Sequence, residues 1–292
     1  MSSLSEGCTI LIPAYNEEKI IGEVLAHIQQ VMAATTRPYQ LLVVDDGSTD
    51  NTAAAVQAIP TVELLRNATN RGYGGAIKAG IRHARYDLIV ITDADGTYPN
   101  EEIPHLLTLM DNNDMVVGAR TGENVHIPLV RRPAKWFINT IANYGAGSKI
   151  PDLNSGLRVF RKSIMLLFYP VLPNGFSLTT TITMAMLANR YTVEYVPINY
   201  HHRVGKSKIR PIYDTLNFTL LILRTTIYYA PLRVFMPLSI LIFLAGLLVG
   251  LYTLFIIGRI MDITTIVLLL ASLQVALTGL LADMVDKRTS RF

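Results

Sequence analysis

The sequence predicts an α/β domain with a mostly parallel sheet flanked by helices, followed by an interfacial amphipathic helix and a two-helix transmembrane hairpin. Three observations predict it: strand-length apolar runs alternating with helical periodicity over residues 8 to about 120, long uncharged runs after about Leu232, and acidic or glycine-rich motifs just beyond successive strands. Alternation of this kind favours parallel strands with helices on both faces. Such sheets bind ligands beyond the carboxyl ends of their strands.

Strands are expected at 8–12, 41–44, 62–65, 88–91 and 115–117. Between the first two, Ile20, Ile21, Val24, Leu25, Ile28, Val31 and Met32 recur at helical spacing. Asp50 is placed to cap an alanine-rich helix over 52–58, and 74–84 reads as another short helix. Residues 121–210 are less regular, with helices expected near 133–144 and 177–189 and a strand over 192–198. Residues 1–210 are assigned to the catalytic domain and 211–231 to the interfacial helix, where Asp214, Asn217 and Arg224 share one face.

Hydrophobic residues make up 50% of the chain and charged ones 16%, too apolar for an ordinary soluble enzyme. The excess lies in residues 232–292, where runs over 234–257 and 263–282 lack charge and match the roughly 18–24 residues that cross a ~30 Å hydrocarbon core. Arg224 and Arg233 precede the hairpin, and Lys287, Arg288 and Arg291 follow it. The positive-inside tendency therefore places both termini and the catalytic domain in the cytoplasm of an integral membrane protein. Residues 1–6 lack a basic n-region and an apolar h-region, so no signal peptide is expected. Cys8 is the only cysteine, which excludes an intrachain disulfide. A pI near 9.1 raises nucleic acid as a partner. The basic residues gather instead around the membrane segment and the motifs below, which fits anionic lipid and phosphate substrates.

The chemistry-bearing motifs follow the strands. Asp93-Ala94-Asp95 ends the run 88–91, and two carboxylates one residue apart suit Mg²⁺ or Mn²⁺ held together with phosphate oxygens. Pro13-Ala14-Tyr15-Asn16-Glu17 forms a turn with an aromatic face and a carboxylate, able to stack and hydrogen-bond a nucleoside or simply to cap the next helix. Asp45 and Asp46 end the second strand. Asn70-Arg71-Gly72-Tyr73-Gly74-Gly75 is a glycine-rich helix entry whose N–H groups could face a phosphate or ribose, or which serves as turn chemistry alone.

In order and spacing these motifs resemble the family 2 inverting glycosyltransferases of GT-A fold, over residues 8 to about 210. Within that family the chain is similar to the polyprenyl-phosphate glycosyltransferases, the group of dolichol-phosphate mannose synthase and bacterial glucosyl relatives. The similarity includes Asp-Leu-Asn-Ser-Gly-Leu-Arg at 152–158, the basic run 203–208 and the membrane portion. The resemblance implies nucleotide-sugar binding by Pro13, Tyr15, Glu17, Asp45, Asp46, Gly72 and Gly74, and metal binding by Asp93 and Asp95. It further implies phosphate and acceptor contacts from Arg120, Arg131, Arg132 and Arg158, with Arg203 and Lys208 joining Asp93 and Asp95 as catalytic groups. Thr97 stands where the mannose synthases often carry glutamine, so no third metal ligand carries over. Assembly into a homo-oligomer through the membrane part is also implied, and Gly246 and Gly250 are candidates for helix packing.

The expected reaction is inverting transfer of one hexose from a UDP- or GDP-sugar to a polyprenyl phosphate. That acceptor is already an oxyanion and needs no dedicated base. Two alternatives stay open. A glycolipid synthase with a hydroxyl acceptor would need a base, for which Asp152 is the only obvious candidate. A membrane-tethered nucleotide-sugar binder would need no chemistry at all.

Overall fold

The computed structural model describes residues 7–122, 132–200, 211–258 and 262–289. Seven strands form one sheet in the order β3-β2-β1-β4-β6-β5-β7. They are β1 (Cys8–Ala14), β2 (Tyr39–Asp45), β3 (Val62–Arg66), β4 (Leu88–Ile91), β5 (Met115–Ala119), β6 (Arg158–Arg161) and β7 (Val193–Pro197). β1 to β4 pair in parallel, as do β5 and β7, while β6 runs antiparallel between β4 and β5. The mostly parallel sheet expected from the sequence is therefore present, with one reversed strand that the apolar pattern did not announce.

Period-two alternation sorts the strand side chains into two cores. Ile10, Ile12, Val43 and Val90 face α1 (Ile21–Ala33) and α4 (Ile103–Thr108). Leu11, Val44, Ile91 and Val117 face α3 (Tyr73–His83), α6 (Lys162–Phe168) and α7 (Leu178–Ala188). α2 (Thr52–Gln57) covers the β3 edge. Burying each such Leu or Ile side chain stabilises the fold by about 1.5–3 kcal/mol. At Gly80 a Cβ would lie 2.1 Å from Leu11 Cδ1, so α3 rests directly on β1. A third cluster joins Ala142 and Ala146 of α5 (Arg132–Ala146) to Met184 of α7 and Ile222 of α8 (Pro211–Tyr229).

Pro13 lies inside β1, not in the turn expected after residue 12. It is tolerated because pairing with β4 ends at Leu11 opposite Ile91, so no amide is required on that side two residues later. Asp50 is not the N-cap expected: Asn51 holds that position, and the Asp50 carboxylate, one residue earlier, accepts from the amide of Thr52, the first residue of α2, at 3.0 Å.

α9 (Leu232–Tyr252), a π-helical turn (Thr253–Ile257) and α10 (Ile263–Thr289) complete the chain. Leu232–Ile256 and Ile263–Val285 have the length and hydropathy to cross a membrane. Their outward faces are apolar, with Leu241, Leu248 and Phe255 between 66% and 77% exposed, a surface suited to hydrocarbon rather than water. The two helices meet through small residues. Gly246 faces Leu268, Gly250 faces Thr265, and a Cβ on Gly279 would lie 2.6 Å from Phe235 Cβ. Ser239 Oγ donates to the Ser272 carbonyl at 2.8 Å across the same seam. Gly246 and Gly250 thus serve packing within the hairpin.

The hairpin is tied to the domain at its first turn. Arg233 Nη1 donates to the Gly145 carbonyl at 2.7 Å, at the C-terminal end of α5, where a cation is favoured. Tyr144 Oη donates to the Arg233 carbonyl at 2.7 Å. α8 buries Ile222, Thr225 and Thr226 against the domain and leaves Leu220, Leu223, Arg224 and Tyr228 exposed.

Gly279→Val is expected to overpack the hairpin seam and destabilise it by about 1–3 kcal/mol. Loss of helical circular dichroism on heating in detergent measures this, and an unchanged midpoint would contradict the seam.

Candidate active site

Among the described residues, the candidate motifs fall at one end of the sheet. Ala14 pairs with Asp45, Leu11 with Ile91, and reversed β6 sets Arg158 against both Ile91 and Val117. The loops after β1, β2, β4 and β5 therefore converge with the 152–157 turn that enters β6.

The first two loops are zipped together. The Asn16 amide donates to Ser48 Oγ at 2.9 Å, the Glu17 amide to Thr52 Oγ1 at 2.8 Å, and the Glu18 amide to Asp50 Oδ2 at 3.2 Å. Asn16 adopts φ 57°, a left-handed conformation that asparagine tolerates, and accepts from the Thr49 amide at 2.9 Å. This latch leaves the Tyr15 ring 42% exposed at the rim and Glu17 half-buried.

The acids at the end of β2 face inward. Asp45 is fully buried; Oδ1 accepts from the Ser48 amide at 2.9 Å and Oδ2 lies 3.1 Å from Arg66 Nε. Asp46 accepts from Asn67 Nδ2 at 2.7 Å, from the Gly72 amide at 2.8 Å and from the Arg71 amide at 3.0 Å. The Gly75 amide donates to the Asn174 carbonyl at 2.9 Å. Of the two readings of the glycine-rich entry to α3, amides facing a phosphate or ribose and turn chemistry alone, these three occupied amides favour the second. Glycine is required there on steric grounds. Gly72 has φ 84°, and a Cβ on Gly74 would lie 2.4 Å from the Pro173 carbonyl oxygen, so the loop docks backbone to backbone on 173–175.

The acidic loop after β4 is held from three sides. Tyr73 Oη donates to Asp93 Oδ1 at 2.9 Å. A Cβ on Gly156 would lie 2.9 Å from both Asp93 oxygens, so a larger residue here would displace the carboxylate from this position. Asp95 Oδ1 accepts from Thr97 Oγ1 at 2.6 Å and from the Thr97 amide at 3.2 Å. Thr97 is buried and turned to Asp95. Tyr98 Oη accepts from the Gly156 amide at 2.6 Å. Burial pushes both phenols above their ordinary values, with the Asp93 charge adding to the effect, so each remains a protonated donor.

Asp93 and Asp95 are both half-buried, and as hard oxygen donors on one short loop they fit a divalent cation. Among the described residues no cluster of three or more His, Cys, Asp or Glu could hold a metal alone. Two carboxylates suit an ion such as Mg²⁺ that completes its shell with phosphate and water.

The arginines divide. Arg120 binds Asp152 bidentately, Nε to Oδ2 at 2.7 Å and Nη2 to Oδ1 at 2.9 Å, and lies over the Tyr200 ring. Burial by itself would raise the Asp152 pKa, but the Arg120 hydrogen bonds and charge outweigh it and hold the carboxyl below its ordinary 3.8. Arg158 has no exposed surface. Its Nε donates to the Ser155 carbonyl at 3.1 Å, and Nη1 donates to the Thr179 carbonyl at 3.2 Å and Thr183 Oγ1 at 3.1 Å. The direct phosphate contact expected of Arg158 is closed to it in this structure; it braces the turn from below. Arg131, Arg203 and Lys208 lie outside the described residues, as does the side chain of Arg132, whose backbone opens α5.

Tyr73, Tyr98 and Gly156 are the residues sequence reasoning passed over. Tyr73 sits inside the quoted glycine motif and Gly156 inside the 152–158 run, yet only the folded chain shows that both touch Asp93, Tyr73 from α3 through its hydroxyl and Gly156 from the turn that enters β6.

The family model described as Glycosyl transferase family 2 matches residues 9–166, and one described as GtrB C-terminal hairpin matches 230–287. The undecaprenyl-phosphate 4-deoxy-4-formamido-L-arabinose transferase of Shewanella sediminis is 32% identical over 244 residues, which are 77% of this chain and 68% of that protein. The Proteus mirabilis protein of the same name is 29% identical over 262 residues, 83% of this chain and 74% of its own. Among solved structures, glucosyl-3-phosphoglycerate synthase from Mycobacterium tuberculosis in complex with Mn²⁺, uridine-diphosphate and phosphoglyceric acid aligns with a TM-score of 0.60 at 16% identity. That alignment covers 77% of this chain and 78% of the synthase chain, and it shows a shared fold.

Asp152→Asn is expected to cost on the order of 3 kcal/mol of stability at neutral pH, because Arg120 loses its counter-charge. The folded-state pKa of Asp152 is depressed, so its contribution is complete above about pH 3.8 and is lost as the pH falls below that value. The gap between wild type and variant should therefore narrow only on the acid side, as read by thermal unfolding across pH.

Proposed function

Because this chain belongs to glycosyl transferase family 2, we propose that it moves one sugar from a nucleotide-sugar donor to a polyprenyl phosphate at the cytoplasmic membrane face. The product is a polyprenyl-monophosphate-linked sugar. The acceptor class is supported by the names of the relatives, which act on undecaprenyl phosphate. The sequence reading favours a hexose on UDP or GDP. The relatives named here use a modified arabinose, so pentoses belong in any donor panel.

One observation carries the acceptor assignment. A hydroxyl acceptor needs a general base, and Asp152, the candidate for that role, is 4% exposed, locked to Arg120 and held below its ordinary pKa. Such a carboxylate is a poor proton acceptor near neutral pH. A phosphate monoester, with a second pKa of about 6, arrives already deprotonated. The reaction then requires only orientation and screening of charge. A phosphate oxygen attacks the anomeric carbon and forms the new C–O bond. The bond from that carbon to the donor diphosphate breaks, the electron pair leaves with the nucleoside diphosphate, and the configuration inverts.

Each group has a proposed task. Tyr15 and Glu17 at the rim receive the nucleoside, and the buried acids Asp45 and Asp46 fix the walls of that pocket. Asp93 and Asp95 would hold Mg²⁺ or Mn²⁺ with the diphosphate, and the bound ion would neutralise the leaving group. Tyr73 keeps the Asp93 carboxylate oriented through its hydroxyl. Arg203, Lys208, Arg131 and Arg132 are assigned to the acceptor and leaving phosphates, where a guanidinium fork donates bidentately. The hairpin holds the active site near the headgroups from which the lipid phosphate is drawn.

A transfer assay on the purified chain in detergent tests this, using a short-chain polyprenyl phosphate and labelled UDP- and GDP-sugars with and without Mg²⁺ or Mn²⁺. A metal-dependent, acid-labile labelled lipid is the expected product. Asp95→Ala should lower its rate by at least about 10²–10³-fold. Labelling of diacylglycerol in place of the lipid phosphate would overturn the acceptor assignment. Donor binding without transfer to either acceptor would overturn the enzyme reading.

A further inference from the structure

Away from the acidic loop, α6 carries an apolar surface that no described residue covers. Leu166 and Leu167 are 44% and 67% exposed, while Met165 and Phe168 on either side are buried. This surface lies beside the entry to the hairpin. The Phe168 ring meets Tyr229 edge-on at 6.1 Å, and α9 begins shortly after, at Leu232.

Cations flank α6 on both sides. Tyr169 holds Lys78 Nζ 4.9 Å and the Arg82 guanidinium 4.4 Å from its ring centroid, along a cleft of about 230 Å³. On the other side Phe168 meets Tyr191 edge-on at 5.8 Å, next to exposed Arg190. Among the described residues Lys78, Arg82 and Arg190 form no ion pair with a carboxylate. Asp87, which precedes β4, meets α6 at its opposite end, where it accepts from the Ser163 amide at 2.8 Å and lies 3.9 Å from Arg161 Nη1. An exposed apolar pair rimmed by uncompensated cations is the composition of an element that lies in a membrane interface.

We propose that α6 is a second membrane contact, in which Leu166 and Leu167 enter the interface and Lys78, Arg82 and Arg190 meet the phosphates of anionic phospholipids. It rests on the reading of α9 and α10 as membrane-spanning. Docking there sets the tilt of the sheet against the bilayer. It also reaches the acidic loop, because the chain leaving α6 delivers Asn174 to the Gly75 amide at 2.9 Å and Phe176 onto the Tyr73 ring at 5.5 Å.

The test uses the full-length chain in lipid nanodiscs with a single environment-sensitive fluorophore on Leu167→Cys. Native Cys8 is buried and its thiol is pushed up to about 12, so the introduced cysteine is the one that labels. Quenching by phosphatidylcholine spin-labelled high on the acyl chain is read with and without phosphatidylglycerol. Leu280→Cys in α10 reports insertion and Gln57→Cys in α2 reports background. Position 167 should be quenched well above position 57, and more strongly in anionic discs. Lys78→Gln with Arg82→Gln should shift the ratio of docked to undocked protein by about tenfold. Background quenching at 167 with strong quenching at 280 would overturn the α6 contact alone. Background at both positions would overturn the spanning reading and the contact with it. The lipid comparison needs no charge substitution, so it stands even where the double variant is unstable.

Discussion

The reversal of β6 is the constraint on which the rest of the site depends. A fully parallel sheet would send the 152–157 turn to the opposite end. Running antiparallel, β6 puts Arg158 level with Ile91 and Val117, so its entry turn lies between the loops leaving β4 and β5. Three contacts follow from that single register. Gly156 makes room for the Asp93 carboxylate, the Gly156 amide donates to Tyr98, and Asp152 takes the Arg120 guanidinium. The turn is held from below by Arg158, a fully buried cation satisfied mainly by carbonyl dipoles. Removing a charge so enclosed would leave its acceptors unpaired, a more costly change than removing an exposed arginine.

Electrostatics then separate the acids by task. Asp45, Asp46 and Asp152 each have partners inside the fold that fix a loop: Ser48 and Arg66, the Arg71 and Gly72 amides, and Arg120. Asp93 and Asp95 are half-buried on one short loop, where the Tyr73 and Thr97 hydroxyls donate to them. Two carboxylates on one short loop suit a divalent cation such as Mg²⁺. The sheet domain and the hairpin are linked just as directly, since the first turn of α9 is bonded through Arg233 and Tyr144 to the end of α5.

Much of this was legible in the sequence because the signals were strong and local. The runs at 8–12, 41–44 and 88–91 became the central parallel strands, and the two uncharged runs became α9 and α10. β6 was hidden because it has four residues and an arginine at each end, so nothing in its composition distinguishes a buried strand from a loop. α6 follows it without a break and was lost with it. The glycine-rich motif does stand at a helix entry, but its composition alone left open whether its amides face a ligand or only shape the turn. Long-range partners, Asp46 and the Asn174 carbonyl, take them instead, and no local pattern reports those. Arg158 shows the same limit: a basic residue in a motif reads as a ligand contact until its neighbours are known.

The most direct test of the central claim is electron paramagnetic resonance of Mn²⁺ titrated into the purified chain with and without a nucleoside diphosphate. The loop of Asp93 and Asp95 is claimed to be half a metal shell that the donor diphosphate completes. Tight Mn²⁺ binding should therefore appear only with the nucleotide and vanish when both carboxylates become amides. Equal binding without the nucleotide, or persistence in the double amide variant, would contradict the account.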